Sequence, residues 1–348
     1  MPPNETPSTD ARAHSPHTHG QAEPPPCSAE PSGPGAPPNR QPLSPPFGLT
    51  RTVAFMNQKG GVGKTTTVVS LAAALAHAGR PTLVVDLDPQ AHATLHLGVD
   101  PDGDGDGAGS GLSVYDVLHD PSAIDEAIAP ARDRLDLLPA LTDLAAAETE
   151  LAAEPDRFER LASALDRVRE RYQFILFDCP PSLGLLTLSG LAAAKEVVIP
   201  MQAHFLALQG VGKLLETVQL VGQQVNPKLR VSGMILCMHD ENTRHAREVV
   251  ADLEGFLRSS AESDAPWAGA RLFRPAVRRN IKLAESPSFG QTVFEYARWC
   301  PGALDYQRLA DGFVREWDGL LSRRASKGET VTRPARPADA DRVGADAR

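Results

Sequence analysis

The sequence predicts an α/β fold, a P-loop NTPase with a mostly parallel, twisted sheet and helices on both faces. Short apolar runs alternate along the chain with longer stretches of helical periodicity, which is the pattern of repeated β-α-β units. One run, residues 174–177, is apolar at every position, as expected for a strand that is covered on both faces. A glycine-rich turn at residues 57–63 separates the first strand from the first helix and is typical of a phosphate-binding loop.

The composition predicts one large domain between two polar tails. Residues 1–48 hold 14 of the 31 prolines, so this segment buries too little apolar surface to offset its ordering entropy and is expected to be disordered. Residues 323–348 are rich in Arg, Ala, Pro and Asp and are expected to be disordered as well. The ATPase domain is therefore expected at residues 49–322, a feasible length for one α/β unit.

Composition also limits the location and the partners. No stretch approaches the roughly 18 consecutive apolar residues of a membrane span. The four cysteines show no paired spacing, which favours a reduced, cytoplasmic protein. The formal net charge of −9 disfavours general nucleic-acid binding but is compatible with a local basic patch.

Periodicity and turn residues give the order of the elements. Strands are expected at residues 52–57, 82–86, 135–138, 173–177, 196–200, 230–237 and 271–274. Helices are expected at residues 63–78, 114–118, 141–152, 156–171, 206–224, 243–259 and 303–321.

The loop after the first strand carries the chemistry of phosphate binding. Backbone N–H groups of the loop and of the helix N-terminus point at the phosphates, and the helix dipole favours their charge. Gly60, Gly61 and Gly63 allow a close approach because no Cβ obstructs it. Lys64 is expected along the β- and γ-phosphates and the Thr65 hydroxyl on Mg²⁺. ATP and Mg²⁺ are therefore the predicted cofactors.

Three acidic residues follow two of the predicted strands. Asp86 and Asp88 end the strand at 82–86, and Asp178 follows the strand at 173–177. An aspartate at a strand end is often only a turn or cap residue. Ligands of open α/β sheets, however, lie outside the carboxyl ends of the strands, where these acids should meet the loop. Asp178 is then the expected Walker B acid, holding Mg²⁺.

The loop departs from the generic Gly-x4-Gly-Lys-Ser/Thr pattern. Gln58 stands at the first glycine position, and a second lysine, Lys59, precedes the glycines. The stretch from Lys59 to Thr65 resembles the deviant Walker A loop of the ParA/MinD group of ATPases. The resemblance implies that Lys59 reaches across a dimer interface to the nucleotide of the other subunit. Spacing alone indicates only two cations near one phosphate site.

Further motifs extend this resemblance over residues 51–321. The segments 86–90, 178–182, 199–203, 207–210 and 279–290 are similar to stretches of the ParA/Soj partition ATPases, and of the short chromosomal type in particular. By resemblance Asp88 positions the attacking water, Asp86 supports the Mg²⁺ shell, and Asp178 binds Mg²⁺ through water. The expected catalytic residues are Lys59, Lys64 and Asp88. The expected nucleotide-binding residues are Lys59, Gly60, Gly61, Val62, Gly63, Lys64, Thr65, Thr66 and Asp86, and the metal-binding residues are Thr65 and Asp178.

The segment after Gln90 departs from the family. Ala91 and His92 stand where relatives usually have Gly-Asn, so the switch behaviour of this segment is expected to differ. His92 and His96 are spaced four residues apart, but no glutamate follows His92 as in the zinc-protease motif. Both are interpreted as surface histidines.

A basic run near the end of the domain is the candidate DNA surface. A charge run alone is usually a solvated face. The resemblance implies non-specific binding to double-stranded DNA by an ATP-dependent homodimer associated with the nucleoid, with a ParB-type partner that stimulates hydrolysis. The expected DNA-binding residues are Arg244, Arg247, Arg271, Arg274, Arg278, Arg279 and Lys282.

Three other classes of protein make different demands on the sequence. A membrane-positioning ATPase of the MinD kind needs an amphipathic C-terminal helix, and residues 324–348 have almost no large apolar side chains. A metal-cluster carrier needs closely spaced cysteine ligands, and no CxxC is present. A ParA-like ATPase that positions a non-chromosomal cargo would use identical chemistry and stays open. Met238 and residues 274–280 are candidates for the adenine pocket.

Overall fold

A computed structural model of the chain describes residues 49–100, 110–204 and 207–327. Within these ranges eight strands form one sheet in the order β3-β4-β2-β5-β1-β6-β7-β8. Neighbouring strands are parallel except for β3 and β4. The bounds are β1 (Arg51–Phe55), β2 (Thr82–Asp86), β3 (Ala129–Arg132), β4 (Leu135–Leu138), β5 (Phe174–Asp178), β6 (Glu196–Met201), β7 (Arg230–Leu236) and β8 (Arg271–Leu272).

Twelve α-helices of the described ranges connect and cover the sheet. They are α1 (Lys64–His77), α2 (His92–His96), α3 (Val114–His119), α4 (Ile124–Ala127), α5 (Leu144–Glu150), α6 (Arg160–Val168), α7 (Leu185–Ala193), α8 (Ala207–Gln224), α9 (Arg244–Ser260), α10 (Lys282–Glu285), α11 (Val293–Ala297) and α12 (Pro301–Ser326).

Alternate residues of the central strands pack into two separate cores. Ala54 and Ile175 face one core, which helices α3 to α9 cover. Val53 and Phe55 face the other core, which α1, α2, α11 and α12 cover. Successive side chains of a strand point to opposite faces, so a sheet with two helical layers must be apolar on both. The predicted fold class, a mostly parallel sheet with helices on both faces, is confirmed.

Several elements were not predicted, for identifiable reasons. Strand β3 contains Pro130, which cannot donate to a ladder and is tolerated here because β3 is an edge strand. Helix α7 is apolar nearly throughout and therefore lacks the periodicity of an amphipathic helix. Strand β8 is only two residues long, shorter than the predicted 271–274.

The structure also describes the first residues of the predicted C-terminal tail. Helix α12 continues to Ser326, so residues 323–326 of the predicted C-terminal tail are helical. Residues 1–48 and 328–348 lie outside the described residues. None of the described helices has both the length and the apolar character needed to span a bilayer.

Strand order places the candidate site. Strand β5 lies between β2 and β1, so the carboxyl ends of these three strands meet at one edge of the sheet. The glycine-rich loop follows β1, while Asp86 ends β2 and Asp178 ends β5. The two aspartates are register partners on neighbouring strands. We call this side of the sheet the carboxyl edge.

Candidate nucleotide-binding site

The loop between β1 and α1 has the geometry that phosphate binding requires. Gly61 and Gly63 have φ values of 70° and 92°, a left-handed conformation that glycine adopts without strain. Gly63 is the N-cap of α1 and no side chain caps the helix, so its first N–H groups remain available to a ligand. Lys64 is nearly buried within the loop.

Asp178 is a buried carboxylate that makes no hydrogen bond of normal geometry within the described residues, although the Thr65 hydroxyl lies nearby. Both of its oxygens are sealed from solvent. Burial raises the pKa of Asp178 well above its usual value, and the charge of Asp86 raises it further, while the Thr65 hydroxyl and the Lys64 charge oppose the shift. A cation would satisfy these oxygens.

The donor set fits Mg²⁺ together with phosphate. A hydroxyl and a carboxylate are hard oxygen donors, and Mg²⁺ usually keeps several waters and takes further oxygens from substrate phosphates. The described residues contain no group of three His, Cys, Asp or Glu side chains that could hold a metal by themselves. Thr65 and Asp178 therefore supply only some of the oxygen ligands of a Mg²⁺ site, and a bound polyphosphate and water would supply the others.

Asp86 anchors the segment that follows β2. One of its oxygens accepts the N–H and the hydroxyl of Thr94, at 2.9 and 2.8 Å, and the other accepts the N–H of Asp88 at 3.2 Å. Burial raises the pKa of Asp86 to about 6, although the bonds from Thr94 oppose the rise. Both oxygens are thus engaged in holding residues 88–94.

Asp88 faces a cavity beside the glycine-rich loop. It lines a cavity of about 760 Å³ together with Lys64, Thr65 and Gln90. One oxygen of Asp88 accepts the N–H of Gln90 at 3.0 Å. The other has no partner among the described residues, which leaves it available to a water molecule.

Lys59 is held outside this cavity. Its backbone N–H donates to Oδ1 of Asn57 at 3.0 Å, and the Asn57 amide donates to the Pro200 carbonyl at 2.8 Å. The ammonium of Lys59 lies 2.9 Å from Nε2 of His204. Lys59 is exposed and does not line the cavity that contains Lys64 and Asp88 of its own chain, which we call the phosphate cavity.

A second cavity of about 300 Å³ adjoins the loop. Gly63, Thr66, Cys237, Met238 and residues 277–281 contribute to its lining. The Thr67 hydroxyl contacts the Tyr306 hydroxyl at 2.9 Å and the Cys237 thiol at 3.4 Å, which fixes α1 against β7 and α12 beside this cavity. Met238 and part of the segment 274–280, the predicted adenine candidates, meet here.

Most of the predicted DNA-binding cations lie around the β7–α9 loop and the segment after β8. Arg278 and Arg279 line a cavity of about 570 Å³ with residues 239–242, which immediately precede Arg244. Arg247 and Arg279 have no acidic partner in the described residues. Four others have one, in the pairs Arg244–Glu248, Arg274–Glu254, Arg278–Asp305 and Lys282–Glu285.

Arg271 is separate from this group. It is the first residue of β8 and pairs with Glu316 of α12, near Arg51, the first residue of β1. The first residues of parallel strands lie at the edge of the sheet opposite the carboxyl edge. Arg271 therefore points away from the surface formed by the other six cations.

The segment after Asp88 differs from the prediction at one histidine. His92 is exposed, as predicted, but His96 is only 2% exposed and its Nε2 has no partner in the described residues. Burial and the nearby Arg132 lower the pKa of His96 to about 4. Ala91, which stands at the family's glycine position, has a φ of 52°.

The end of this segment touches the loop after α10. Gly98 and Gly290 approach so closely that a Cβ on Gly98 would lie 2.8 Å from the carbonyl oxygen of Gly290. Both residues have positive φ. Two glycines are needed for this backbone contact, and neither was singled out in the sequence.

Three further residues contact residues of the site and were not predicted from the sequence. His204 contacts Lys59, Thr94 binds Asp86, and the Gln202 amide donates to the Gly61 carbonyl at 3.1 Å. Gln202 lies in a segment that resembles the family, which was the available signal. No local sequence pattern indicates the contacts of His204 and Thr94.

Known proteins resemble the chain over the whole domain. A family model described as an AAA domain matches residues 50–231. The chromosome-partitioning ATPase Soj of Treponema pallidum is 41% identical over 268 residues, which are 76% of this chain and 98% of the relative. The Soj protein of Thermus thermophilus, of the same description, is 42% identical over 261 residues, 75% of this chain and 94% of the relative.

Solved structures agree with this relationship. A structure from Mycobacterium smegmatis, described as cobyrinic acid a,c-diamide synthase with bound ADP and magnesium, has a TM-score of 0.63 at 36% identity and covers 78% of this chain and 96% of its own. The septum site-determining protein MinD of Pyrococcus horikoshii, at 24% identity and a TM-score of 0.57, shares the fold and covers 76% of this chain and 96% of its own. The chain belongs to the ParA/Soj family of partition ATPases.

Proposed function

We propose that this ATPase is a dimerising switch that binds DNA without sequence specificity and drives chromosome or plasmid segregation. ATP and Mg²⁺ are its cofactors, in line with the nucleotide and magnesium of the Mycobacterium smegmatis relative. The observation that carries the proposal is the position of Lys59, a loop lysine that lies outside the phosphate cavity of its own chain. A lysine so placed is free to serve the nucleotide of a second copy.

Hydrolysis in this proposal needs positioning and charge stabilisation rather than covalent catalysis. The loop N–H groups and Lys64 bind the β- and γ-phosphates, and Asp88 orients the attacking water with its unpaired oxygen. Mg²⁺, held by Thr65 and through water by Asp178, would neutralise developing phosphate charge. Lys59 of the second subunit adds a cation at the same phosphates. Asp86 supports the metal shell indirectly, because it fixes residues 88–94.

DNA binding is assigned to the surface around the β7–α9 loop, which carries Arg244, Arg247, Arg274, Arg278, Arg279 and Lys282. Arg247 and Arg279 are the strongest candidates, since neither has an acidic partner in the described residues. The four paired cations would have to exchange an acid for a phosphate. Arg271 is left out because it lies on the opposite side of the sheet.

Membership of the family supports a proposal for the partner and the location. A ParB-type DNA-binding protein would stimulate hydrolysis and release the dimer from the nucleoid, and no membrane attachment is proposed. The same switch would also serve a non-chromosomal cargo, and the partner decides between the two.

The test measures binding to a non-specific duplex with ATP, ADP or no nucleotide, at low and high salt. We expect ATP-dependent binding with a slope of log affinity against log salt of roughly −0.9 per phosphate contact. Lys59→Ala should abolish it, Lys64→Ala should abolish ATP binding itself, and Asp88→Ala should leave a long-lived dimer on DNA. ATP hydrolysis without any DNA binding would exclude the partition function and direct attention to metabolic enzymes of the same fold.

A further inference from the structure

A hollow lies at the amino edge of the sheet, opposite the nucleotide loop. It is bounded by the first residues of β1, β6, β7 and β8 and by the second half of α12, and its volume is about 740 Å³. We call it the amino-edge cavity. Small-ligand sites commonly enclose about 300–1,000 Å³, so its size suits a small molecule.

Five arginines from separate parts of the chain line this cavity. Two belong to a network that is already neutral. Arg51 forms a two-pronged bond to Glu196, at 2.9 and 2.8 Å, and Arg271 pairs with Glu316. These four side chains cancel each other in charge. The complete set of arginines is Arg51, Arg230, Arg271, Arg315 and Arg323.

The remaining charges leave a positive excess. Arg315 and Arg323 have no acidic partner in the described part of the chain, and Arg230 donates only to the backbone carbonyls of Pro227 and Leu229. Against these three cations stands one further acid of the lining, the exposed Asp264. Burial lowers the pKa of Arg271, and the nearby charge of Arg51 lowers it further, while Glu196 opposes the shift.

The cavity wall between these arginines is apolar. Trp317 and Leu320 of α12 line it, and the Trp317 N–H is buried without an acceptor among the described residues. Gly319 stands one helical turn from both Arg315 and Arg323. Gly319 also lines the cavity, and the guanidinium of Arg323 lies against it, since an added Cβ would be 3.5 Å from Nη1 of Arg323.

We propose that the amino-edge cavity binds a small organic ligand with two or more phosphate groups, at a site separate from the P-loop. Guanidinium forks bind phosphate oxygens in pairs, and three of them surround a concave surface with an apolar wall for the rest of the ligand. A DNA duplex is a wide convex rod, which suits an open face better than this hollow. The inference does not depend on the proposed DNA switch.

The test uses inorganic tripolyphosphate as the probe and full-length Lys64→Ala protein, in which the P-loop site is weakened. Binding is followed by calorimetry and by tryptophan fluorescence. Arg315→Ala/Arg323→Ala should weaken binding by about tenfold, the loss expected for two solvent-exposed charge pairs. Trp317→Phe should remove the fluorescence change and leave the heat of binding.

The matched control is Arg167→Ala/Arg298→Ala, which removes two exposed arginines that do not line the cavity. Arg315 and Arg323 are exposed, so the test variant should unfold at the same temperature as the control. Equal binding by the two double variants would overturn the proposal, as would no binding by the Lys64→Ala protein. Duplex binding is compared separately with Lys64 intact and ATP present. Loss of duplex binding by Arg315→Ala/Arg323→Ala there, with unchanged tripolyphosphate binding, would make this a nucleic-acid surface instead.

Discussion

The ammonium of Lys59 lies 2.9 Å from Nε2 of His204, on the loop that follows β6. An ammonium can only donate, so the neutral imidazole is the acceptor. In the single chain this contact holds the lysine that is proposed to act on the second subunit. Dimerisation would have to break it.

Replacing His204 should therefore favour the dimer. An exposed hydrogen bond of this kind is worth about 0.5–1 kcal/mol. Both subunits lose it on dimerisation, so His204→Ala should lower the dimer dissociation constant about 5- to 30-fold. Sedimentation with saturating Mg-ATP in an Asp88→Ala background measures this without turnover. His119→Ala, at a distant partly exposed histidine paired with Glu150, is the control. A weaker dimer would show that His204 contributes to the interface instead.

Asp178→Asn should separate metal binding from folding. The raised pKa of Asp178 means that this group stabilises the metal-free fold most at low pH, below 3.8, and progressively less as the pH rises through the folded pKa. Asparagine removes the buried charge, so at about pH 8 the metal-free variant should be more stable by about 1–3 kcal/mol. Urea unfolding measures this, and Mg²⁺ should add no further stability with ADP. A metal-free variant less stable than the parent would contradict this account.

His96 should give an acid-sensitive contribution to stability. Its folded pKa of about 4 lies below the ordinary value of 6.5, so the stabilisation is complete above pH 6.5 and is lost as the pH falls toward 4. The total is about 3 kcal/mol, from 1.36 kcal/mol per unit of pKa. Asp86, whose pKa is raised to about 6, changes the stability in the opposite direction over this range, but it does so equally in both proteins. The difference in unfolding free energy between the parent and His96→Leu, measured by urea unfolding at these pH values, should therefore show the loss. The exposed His92→Leu should behave like the parent.

Ala91 should carry backbone strain in the segment after Asp88. A left-handed φ costs a residue with a Cβ about 1–2 kcal/mol, which exceeds the entropy that glycine loses on folding. Ala91→Gly is thus expected to stabilise the protein, by up to about 1 kcal/mol. Ala93→Gly, inside α2, should destabilise it by about 1 kcal/mol. If both glycines destabilise equally in urea, position 91 is not strained.

The two sides of the sheet should differ in DNA binding. Arg247→Ala removes an unpaired cation at the carboxyl edge and should reduce the slope of log affinity against log salt by roughly 0.9 per protomer. Arg271→Ala, at the amino edge, should leave that slope unchanged. Fluorescence anisotropy with a labelled duplex and ATP measures both slopes. The reverse pattern would move the DNA surface to the amino edge.

Local patterns predicted most of what lies at the carboxyl edge. The loop, its lysines and the three aspartates lie within short motifs, and their strands were recognisable as apolar runs, so their convergence followed from parallel topology. The bond from Thr94 to Asp86 and the contact of His204 with Lys59 depend on tertiary packing. No periodicity in the sequence predicts such contacts. Arg271 is different, because its place at the start of a predicted strand already implied the opposite edge. The basic run does not form one surface, because the direction of that strand places Arg271 at the opposite edge from the other cations.

The contact of Gly98 with Gly290 has a mechanical consequence. No side chain separates the two backbones, so α2 cannot shift after loss of the terminal phosphate without pushing the loop at 286–290. That loop carries Phe289, which is 62% exposed and stacks on Tyr296. A shift of α2 would therefore also displace an aromatic side chain that lies on the outside of the molecule, within reach of another protein.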